Sequence, residues 1–496
     1  MTEVATTAGR VRGRVEDGVA VFRGIPFAAP PAGAHAFKPP QPVPAWDGVR
    51  DAGAFGPGCR QPVLDANDGV HGYFNPLVFG DDCLTLNVWT PDPGTAGLPV
   101  MVWIHGGGYV AGGGGAPAHA GDTWTRDGVV YVSINYRLHV DGFVYLGGDT
   151  VNLGLQDQVA ALRWVQENIA AFGGDPANVT VFGQSAGGVS VTHLLSMPMA
   201  QGLFRRAIAQ SGSSASGAAP ELATRIAARL GELVGAPPTR DGFASTSSET
   251  MLAAVAALGF EYLSPAFWGA ESFIISPYRV VIDGEVLPDH PVPAIAAGSA
   301  NGVDVMAGTT RDEMTFATQP LGMLDSVTDE WVATALDTFG LDYDGLETYR
   351  KASRPGAALP ELLQAAWTDW AFRIPTLRVL EAHISQPGAT YAYEFAWPSA
   401  AFPELGATHA LELPFVNDRL ATHIALTGAV GNHLGAVPPQ ALADVMHRAW
   451  VAFATSGDPG WPQYDAARRT TMRFDEISGP VDDLAGIERE LWDGIR

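Results

Sequence analysis

The sequence has little positive charge and almost no cysteine. Its 496 residues include 29 lysines and arginines against 53 acidic residues, a formal net charge of −24, and the only lysines are Lys38 and Lys351. So acidic a surface repels nucleic acid and anionic membranes, and neither is an expected partner. No apolar run approaches the roughly twenty residues of a membrane span. The polar start, residues 1–14, is followed by no apolar segment, so we expect no signal peptide and a cytoplasmic location.

Metal-binding patterns are also missing. The sequence has no His-Glu-x-x-His, no Cys-x-x-Cys and no cluster of Cys, His and carboxylates at zinc spacing, so we expect neither a metal nor a cofactor. Charged residues make up only 17% of the chain and hydrophobic residues 47%. This composition is typical of a protein with a large buried core and excludes a disordered chain.

One serine stands between two glycines at the end of an apolar, β-branched run. Residues 179–182 predict a strand covered on both faces, and residues 189–195 can continue as a helix whose N-terminus points at Ser185. Gly183 and Gly187 lack the Cβ atoms that would collide in a tight strand-to-helix turn. This pattern is the nucleophile elbow, and it makes Ser185 the candidate nucleophile.

A second glycine cluster follows another apolar run, residues 98–104. A dinucleotide-binding loop is excluded because more glycines and Pro117 stand where its helix must begin. A phosphate-binding P-loop is excluded because no Gly-Lys-Ser/Thr is present. We therefore predict an oxyanion hole, formed by the backbone amides of Gly107, Gly108 and Ala186.

These motifs occur in the order typical of one enzyme family. The chain resembles the type B carboxylesterase/lipase family, which includes cholinesterases and bacterial para-nitrobenzyl esterases, from residues 22–27 to residues 450–459. The resemblance is carried by His105-Gly-Gly-Gly108, Asn135-Tyr-Arg137, Asn152-Leu-Gly-Leu155, Phe172-Gly-Gly-Asp175-Pro176 and Phe182-Gly-Gln-Ser-Ala-Gly-Gly188. It implies an α/β-hydrolase fold, with a large, mostly parallel central sheet flanked by helices.

The nucleophile requires a base and an acid. A serine hydroxyl reacts only when an imidazole takes its proton and a carboxylate orients that imidazole, in the chain order Ser, acid, His for this fold. The family's Asp-Glu-Gly motif falls on Glu313, although Met314 replaces the glycine, and Asp312 is the alternative acid. Residues 406–415 resemble the family's catalytic-histidine loop, which makes His409 the candidate base.

The candidate catalytic residues are scattered from Gly107 to His409. We therefore predict a single domain over residues 1–496, although length alone suggests about three. Two helical stretches, about 220–275 and 320–390, contain no recognised catalytic motif. We expect them to be cap and side-subdomain insertions that wall a substrate gorge, and outer helices that only support the sheet are the alternative.

The resemblance implies a serine carboxylesterase that hydrolyses uncharged esters through an acyl-enzyme. Its expected partners are the ester and water, and its expected assembly is a monomer or homodimer. An amidase or carbamate hydrolase would use the same triad, and non-catalytic binding modules also occur in the wider family. Retention of Ser185, Glu313 and His409 argues against a binding module.

The expected acyl pocket is broad. Residues 213–218 are small where relatives selective for small acyl groups place bulk, and Gln184 is neutral where many relatives carry Glu, which disfavours a cationic choline ester. Other aromatics, which could equally belong to the core, complete the pocket. The residues expected to line it are Tyr73, Phe74, Tyr109, Phe143, Ser213, Trp268 and Phe316.

The two cysteines match a family disulfide. A bridge between Cys59 and Cys83 would contribute about 3 kcal/mol in the chain-entropy model. The cytoplasm normally keeps thiols reduced. We expect a cytoplasmic protein whose pair can oxidise after purification, and secretion is the alternative.

Overall fold

One large sheet takes its strands from almost the whole sequence, from residue 2 to residue 481. The computed structural model describes residues 2–62, 74, 75, 78–319, 322–324 and 327–496. The strands are β1 (Thr2–Ala5), β2 (Arg10–Glu16), β3 (Val19–Pro26), β4 (Val49–Asp51), β5 (Thr85–Thr90), β6 (Leu98–Ile104), β7 (Val130–Ile134), β8 (Gly174–Gln184), β9 (Arg206–Gln210), β10 (Gly217–Ala218), β11 (Val280–Val281), β12 (Asp304–Thr310), β13 (Thr390–Phe395), β14 (Thr471–Phe474) and β15 (Gly479–Val481).

Within those described ranges, thirteen strands form one sheet. Their order is β1-β2-β3-β5-β7-β6-β8-β9-β12-β13-β14-β15, with β4 beside β2, and β10 and β11 form a separate pair. Every pairing from β7 to β14 along this order is parallel. The pairings of β5 with β7 and of β14 with β15 are antiparallel. The predicted large, mostly parallel sheet of the α/β-hydrolase fold is confirmed.

Helices follow the parallel strands and cover the sheet. The α-helices are Asp122–Arg126, His139–Phe143, Leu153–Asn168, Ala186–Leu194, Pro220–Val234, Arg240–Ala244, Ser248–Tyr262, Pro265–Trp268, Pro291–Ala296, Thr315–Thr318, Asp329–Phe339, Tyr343–Ala352, Leu359–Thr368, Ile374–His383, Leu413–Val416, Leu420–Gly431, Gln440–Ser456 and Gly486–Leu491. A π-helical turn, Asp369–Arg373, joins two of them. The 3-10 helices are Gly33–His35, Pro117–His119, Ile169–Phe172, Pro198–Ala200, Ser214–Ser216, Gly269–Phe273 and Pro403–Leu405.

The central strands are buried on both faces. In β6, Val102 and Ile104 pack into one core cluster, whereas Met101 and Trp103 pack into another on the opposite face. This double burial is why the strand sequence is continuously apolar and does not alternate. A third cluster holds together the helices of the second predicted helical stretch and includes Trp370.

No single helix in the described ranges is long and apolar enough to cross a membrane. One bent pair, Ser248–Tyr262 with Pro265–Phe273, reaches the required length and composition only when its two arms, which are 90° apart, are counted together.

The two cysteines form a disulfide. Cys59 and Cys83 are joined with their Cα atoms 5.0 Å apart, across a sequence separation of 24 residues. Both side chains are buried in the larger core cluster. The bridge therefore joins two points of the segment between β4 and β5.

Candidate active site

Ser185 occupies a strained turn between β8 and the helix Ala186–Leu194. Its backbone angles are φ 57° and ψ −125°, a sparsely populated combination for a residue with a side chain. The Ser185 N–H donates a hydrogen bond of 2.9 Å to the carbonyl of Gln210 on β9. A Cβ atom on Gly183 would lie 2.6 Å from the carbonyl oxygen of Ile104, and one on Gly187 only 2.0 Å from it. The flanking glycines therefore let the elbow pack directly against the end of β6.

The three predicted oxyanion-hole residues have uncommitted backbone amides. Gly107 (φ 106°) and Gly108 (φ 61°) have positive φ angles, and a Cβ atom on Gly107 would lie 2.1 Å from the carbonyl oxygen of Ala111. Among the hydrogen bonds between described residues, none is donated by the N–H of Gly107, Gly108 or Ala186. Gly108, Ser185 and Ala186 line one cavity. These amides are therefore available to an oxygen atom beside Ser185.

Glu313 and His409 form a close pair. Glu313 Oε2 lies 2.5 Å from His409 Nδ1, and Oε1 accepts hydrogen bonds from the Ser211 hydroxyl (2.6 Å) and the Thr310 N–H (2.8 Å). Glu313 follows β12 and is fully buried, whereas His409 lies in the loop after β13. Because Nδ1 donates to the carboxylate, Nε2 is the ring nitrogen left to accept a proton.

Asp312, the alternative acid, points elsewhere. Its carboxylate accepts hydrogen bonds from Arg311 Nε (3.0 Å), Arg354 Nη2 (3.2 Å) and the Ala407 N–H (2.9 Å). The next-but-one residue, Met314, which stands where the family has glycine, adopts ordinary helical angles of φ −73° and ψ −7°. This position needs no glycine, and the departure from the family motif leaves Glu313 in contact with His409.

His409 Nε2 contacts Gln184 in this structure. The Gln184 side-chain amide donates to Nε2 at 3.1 Å, and no hydrogen bond between described atoms joins His409 to Ser185. The ring is packed between Phe316, with centroids 4.7 Å apart, and Phe372, at 5.2 Å. The structure thus brings Glu313 to His409 but leaves the link to Ser185 unformed. Such links commonly tighten only when substrate binds.

A second carboxyl group lies beside this pair. Glu412 is fully buried, and burial, followed by the charge of Glu313, raises its pKa to about 7. Gln210 Nε2 donates to Glu412 Oε1 at 3.3 Å, while Oε2 is buried with no hydrogen-bond partner among the described residues. Glu412 is therefore protonated over a wider pH range than an exposed glutamate.

The cavity in front of Ser185 contains some of the predicted pocket residues. Tyr109 and Ser213 line it. The Tyr109 hydroxyl lies 3.1 Å from the Ser190 hydroxyl, and burial raises the pKa of Tyr109. The complete lining is Gly108, Tyr109, Ser185, Ala186, Val189, Ser213, Ala215, Ser216, Phe273, Ile274, Ile275, Ser276, Tyr278, Arg279, Trp370, Ala371, Phe372 and Arg496.

Other predicted pocket residues lie outside this lining. Phe143 stacks behind Tyr109, with centroids 4.0 Å apart, and Trp268 packs on Tyr262 at 5.2 Å. Both belong to the core, because each is buried among other apolar side chains. Phe316 contacts the catalytic-histidine candidate instead.

Of two further predicted aromatics, one belongs to the described residues. Phe74 lies 6.5 Å from the ring of His423, and Tyr73 falls outside the described residues.

Sequence reasoning missed half of the cavity wall. Trp370 and Phe372 come from the π-helical turn, Ser276 and Arg279 from the segment before β11, and Arg496 from the last residue of the sequence. None of these belongs to a motif. The available signal was the aromatic pair at 370 and 372 inside a stretch predicted to wall the gorge.

A serine at the strained elbow of a mostly parallel sheet characterises serine hydrolases with the α/β-hydrolase fold. The chain is one of these enzymes, and comparison with known proteins identifies its family within this class.

The carboxylesterase family profile matches residues 1–483, and the chain belongs to this family. It is 36% identical over 491 residues to the para-nitrobenzyl esterase of Bacillus subtilis strain 168, covering 95% of this chain and 94% of that protein. Phenmedipham hydrolase of Pseudarthrobacter oxydans is 34% identical over 474 residues, covering 93% and 92%. The crystal structure of the Geobacillus stearothermophilus carboxylesterase EST55 at pH 6.2 superposes with a TM-score of 0.87 at 37% identity, covering 99% of this chain and 100% of that one. The chain is thus a carboxylic ester hydrolase.

Proposed function

We propose that the chain hydrolyses carboxylic esters by acyl transfer through Ser185. His409 accepts the proton of the Ser185 hydroxyl as the oxygen attacks the ester carbonyl, and Glu313 stabilises the imidazolium that forms. His409 then gives the proton to the leaving alcohol, and water repeats the sequence on the acyl-enzyme. The observation that carries this proposal is the hydrogen bond from His409 Nδ1 to Glu313, which leaves Nε2, the nitrogen beside Gln184, to accept a proton.

The developing oxyanion would be held by backbone amides. Gly107, Gly108 and Ala186 have uncommitted N–H groups, and Ala186 begins the helix that follows the elbow. Loss of one such donor typically costs about 10² to 10³ in turnover. We assign these three amides as the oxyanion hole.

His409 must exchange one hydrogen bond for another during this cycle. Its Nε2 accepts from the Gln184 amide at 3.1 Å. This hydrogen bond joins two neutral groups and is replaced by another from the neutral Ser185 hydroxyl, so the net change in hydrogen-bond free energy is small. Gln184 therefore acts as a resting partner for the base.

The acyl pocket in this proposal is broad. Ser213, Ala215 and Ser216 line the cavity with small side chains, while Trp370 and Phe372 offer aromatic surface. Small polar side chains beside aromatic surface suit an aromatic or medium-chain acyl group. We propose comparable activity on acetate, hexanoate and benzoate esters, and strict preference for acetate would contradict the broad pocket.

Covalent labelling tests the nucleophile. An organophosphate or sulfonyl fluoride should add one group to the peptide containing Ser185, and Ser185→Ala should abolish both labelling and ester turnover. The matched control is Ser385→Ala, because Ser385 is an exposed serine far from the motif. Labelling of a different serine, or turnover that survives Ser185→Ala, would overturn the assignment.

The pH profile and a leaving-group series test the rest of the cycle. Activity should fall in acid because a protonated His409 cannot accept the serine proton. Matched ester, anilide and phenylcarbamate substrates should show the ester turned over fastest. A faster anilide or carbamate would replace the esterase proposal with an amidase or carbamate hydrolase.

A further inference from the structure

Two arginine side chains line the cavity that contains Ser185. Arg279 and Arg496 both line it, and no aspartate or glutamate is among its lining residues. This is a marked local exception in a chain with a net charge of −24. Elsewhere in the described chain most arginines pair with a carboxylate. The partners of each guanidinium in this wall are therefore described in turn.

Arg279 is already committed to the protein. Its guanidinium pairs with Glu271, and its Nε and Nη2 donate to the carbonyl oxygens of Ser216 and Gly217. The side chain is only 6% exposed. Arg279 is therefore a fixed part of the wall, and its charge is largely compensated by Glu271.

Arg496 has hydrogen-bond donors that lack a partner among the described residues. Its Nε donates to the Trp370 carbonyl at 3.1 Å, and its guanidinium carbon lies 4.2 Å from the centroid of the Trp370 ring. Its two terminal nitrogens, Nη1 and Nη2, make no hydrogen bond or ion pair with any residue that the structure describes. The stacking on Trp370 holds the guanidinium plane while its outer edge stays available.

Arg496 forms no ion pair with a carboxylate among the described residues, because the nearby Glu271 pairs with Arg279. Burial, followed by repulsion from Arg279, lowers its pKa to about 10, although Glu271 acts in the opposite direction. The side chain therefore remains a cation at neutral pH, in a setting where the cation is unfavourable. An anion brought to this wall would gain both a countercharge and two parallel donors.

We propose that Arg496 extends the range of substrates from the uncharged esters expected from the sequence to esters that carry a carboxylate away from the scissile bond. The two free guanidinium nitrogens match the two oxygens of a carboxylate, and the apolar wall of Phe273, Ile274 and Trp370 accommodates the carbon chain between that group and the ester. Monoesters of dicarboxylic acids and esters of carboxyphenols belong to this class. The proposal rests on the assignment of Ser185 as nucleophile.

Paired anionic and neutral substrates test this selectivity. On the acyl side, p-nitrophenyl hydrogen adipate is compared with p-nitrophenyl hexanoate, and on the alcohol side 4-carboxyphenyl acetate is compared with phenyl acetate. For each pair the ratio of kcat/KM, anionic over neutral, is measured in the wild type, in Arg496→Gln and in Arg496→Lys. We expect the ratio to fall about tenfold in Arg496→Gln for at least one pair, mainly through KM, and to be partly restored in Arg496→Lys.

A surface arginine provides the matched control. Arg448 is exposed, so Arg448→Gln removes the same charge from the molecule without touching the cavity, and its ratios should equal those of the wild type. Ratios that stay unchanged in Arg496→Gln for both pairs, or that fall equally in Arg448→Gln, would overturn the selectivity. Failure of the selectivity proposal leaves Ser185 as the proposed nucleophile if Ser185→Ala abolishes turnover of the neutral esters. If Ser185→Ala still turns over the neutral esters, the assignment of Ser185 as nucleophile is wrong.

Discussion

At the scale of single residues, the surroundings of each side chain decide its role. The family motif favours Glu313 over the adjacent Asp312 in the sequence. Asp312 is neutralised by Arg311 and Arg354, whereas Glu313 contacts His409. The structure adds the physical reason, because Arg354 comes from a distant part of the chain.

Glu412 predicts a pH-dependent stability. Its pKa is raised to about 7 in the folded chain from an ordinary value of 4.5, so folding favours its protonated form. The stability that this preference contributes is complete below about pH 4.5 and is lost as the pH rises through about 7. Glu412→Gln keeps a neutral side chain at every pH. We expect its melting temperature, relative to the wild type, to be higher at pH 8 than at pH 5, as measured by thermal unfolding.

The matched control for this substitution lies in the same segment. Glu404 is exposed and makes no ion pair among those of the described residues. Glu404→Gln should therefore shift the melting temperature equally at both pH values. A Glu412→Gln difference that does not change between pH 5 and pH 8 would show that Glu412 is ionised in the folded chain at both.

At the scale of secondary-structure elements, the elbow helix illustrates a local preference overruled by packing. The sequence predicts a helix over residues 189–195, but the helix begins at Ala186. Gly187 and Gly188 are poor helix formers and on propensity alone belong to the turn. They are helical nevertheless, because the helix packs closely against β9. A Cβ atom on Gly188 would lie 2.3 Å from the carbonyl oxygen of Gln210, so this close packing requires glycine.

A buried ion pair joins the segment after β7 to the helix Leu153–Asn168. Asp157 is fully buried and accepts hydrogen bonds from Arg137 Nε (2.8 Å), Nη2 (2.7 Å) and N–H (3.0 Å). Asp157→Asn would leave a buried guanidinium without its countercharge. We expect the free energy of unfolding to fall by about 3 to 5 kcal/mol, measured by urea denaturation.

An exposed pair serves as the comparison for this prediction. Glu232 pairs with Arg229 one helical turn away, and its side chain is 67% exposed. Glu232→Gln should cost less than about 1 kcal/mol. An equal loss of unfolding free energy in the two variants would mean that burial does not increase the contribution of the Arg137–Asp157 pair to stability.

At the scale of the whole molecule, the central sheet brings the candidate site residues together. The predicted oxyanion loop follows β6, the elbow follows β8, and the candidate residues Glu313 and His409 follow β12 and β13. These strands are parallel and therefore end at the same edge of the sheet. In open α/β sheets this carboxyl edge is where ligands bind. Single-domain organisation over residues 1–496, assembly as a monomer or homodimer, a cytoplasmic location and the absence of nucleic-acid partners stay predictions.

The disulfide predicts a measurable contribution to global stability. Cys59 and Cys83 close a loop with a sequence separation of 24 residues. Replacing both by serine should lower the free energy of unfolding by about 3 kcal/mol, because the unfolded chain regains the freedom that the bridge removes. Denaturant unfolding under non-reducing conditions measures the loss.

Thiol titration checks the bridge directly. Protein purified without reductant and then unfolded in denaturant should show no free thiol, and the same protein unfolded with reductant should show two. The single variant Cys59→Ser should show one free thiol without reduction. Two free thiols in the native wild type would contradict the bridge and support a pair that is reduced in the folded protein.

The sequence by itself determined the family, the mostly parallel sheet, the elbow and the identity of the candidate triad. These follow from short motifs, because a tight turn, a free amide and a nucleophile each demand particular residues at fixed local spacing. Only the tertiary structure decided which aromatics belong to the core, that Gln184 occupies His409 Nε2, and that Arg496 reaches the cavity. Those outcomes depend on contacts between residues distant in the chain, and a pattern within one segment carries no information about what packs against it.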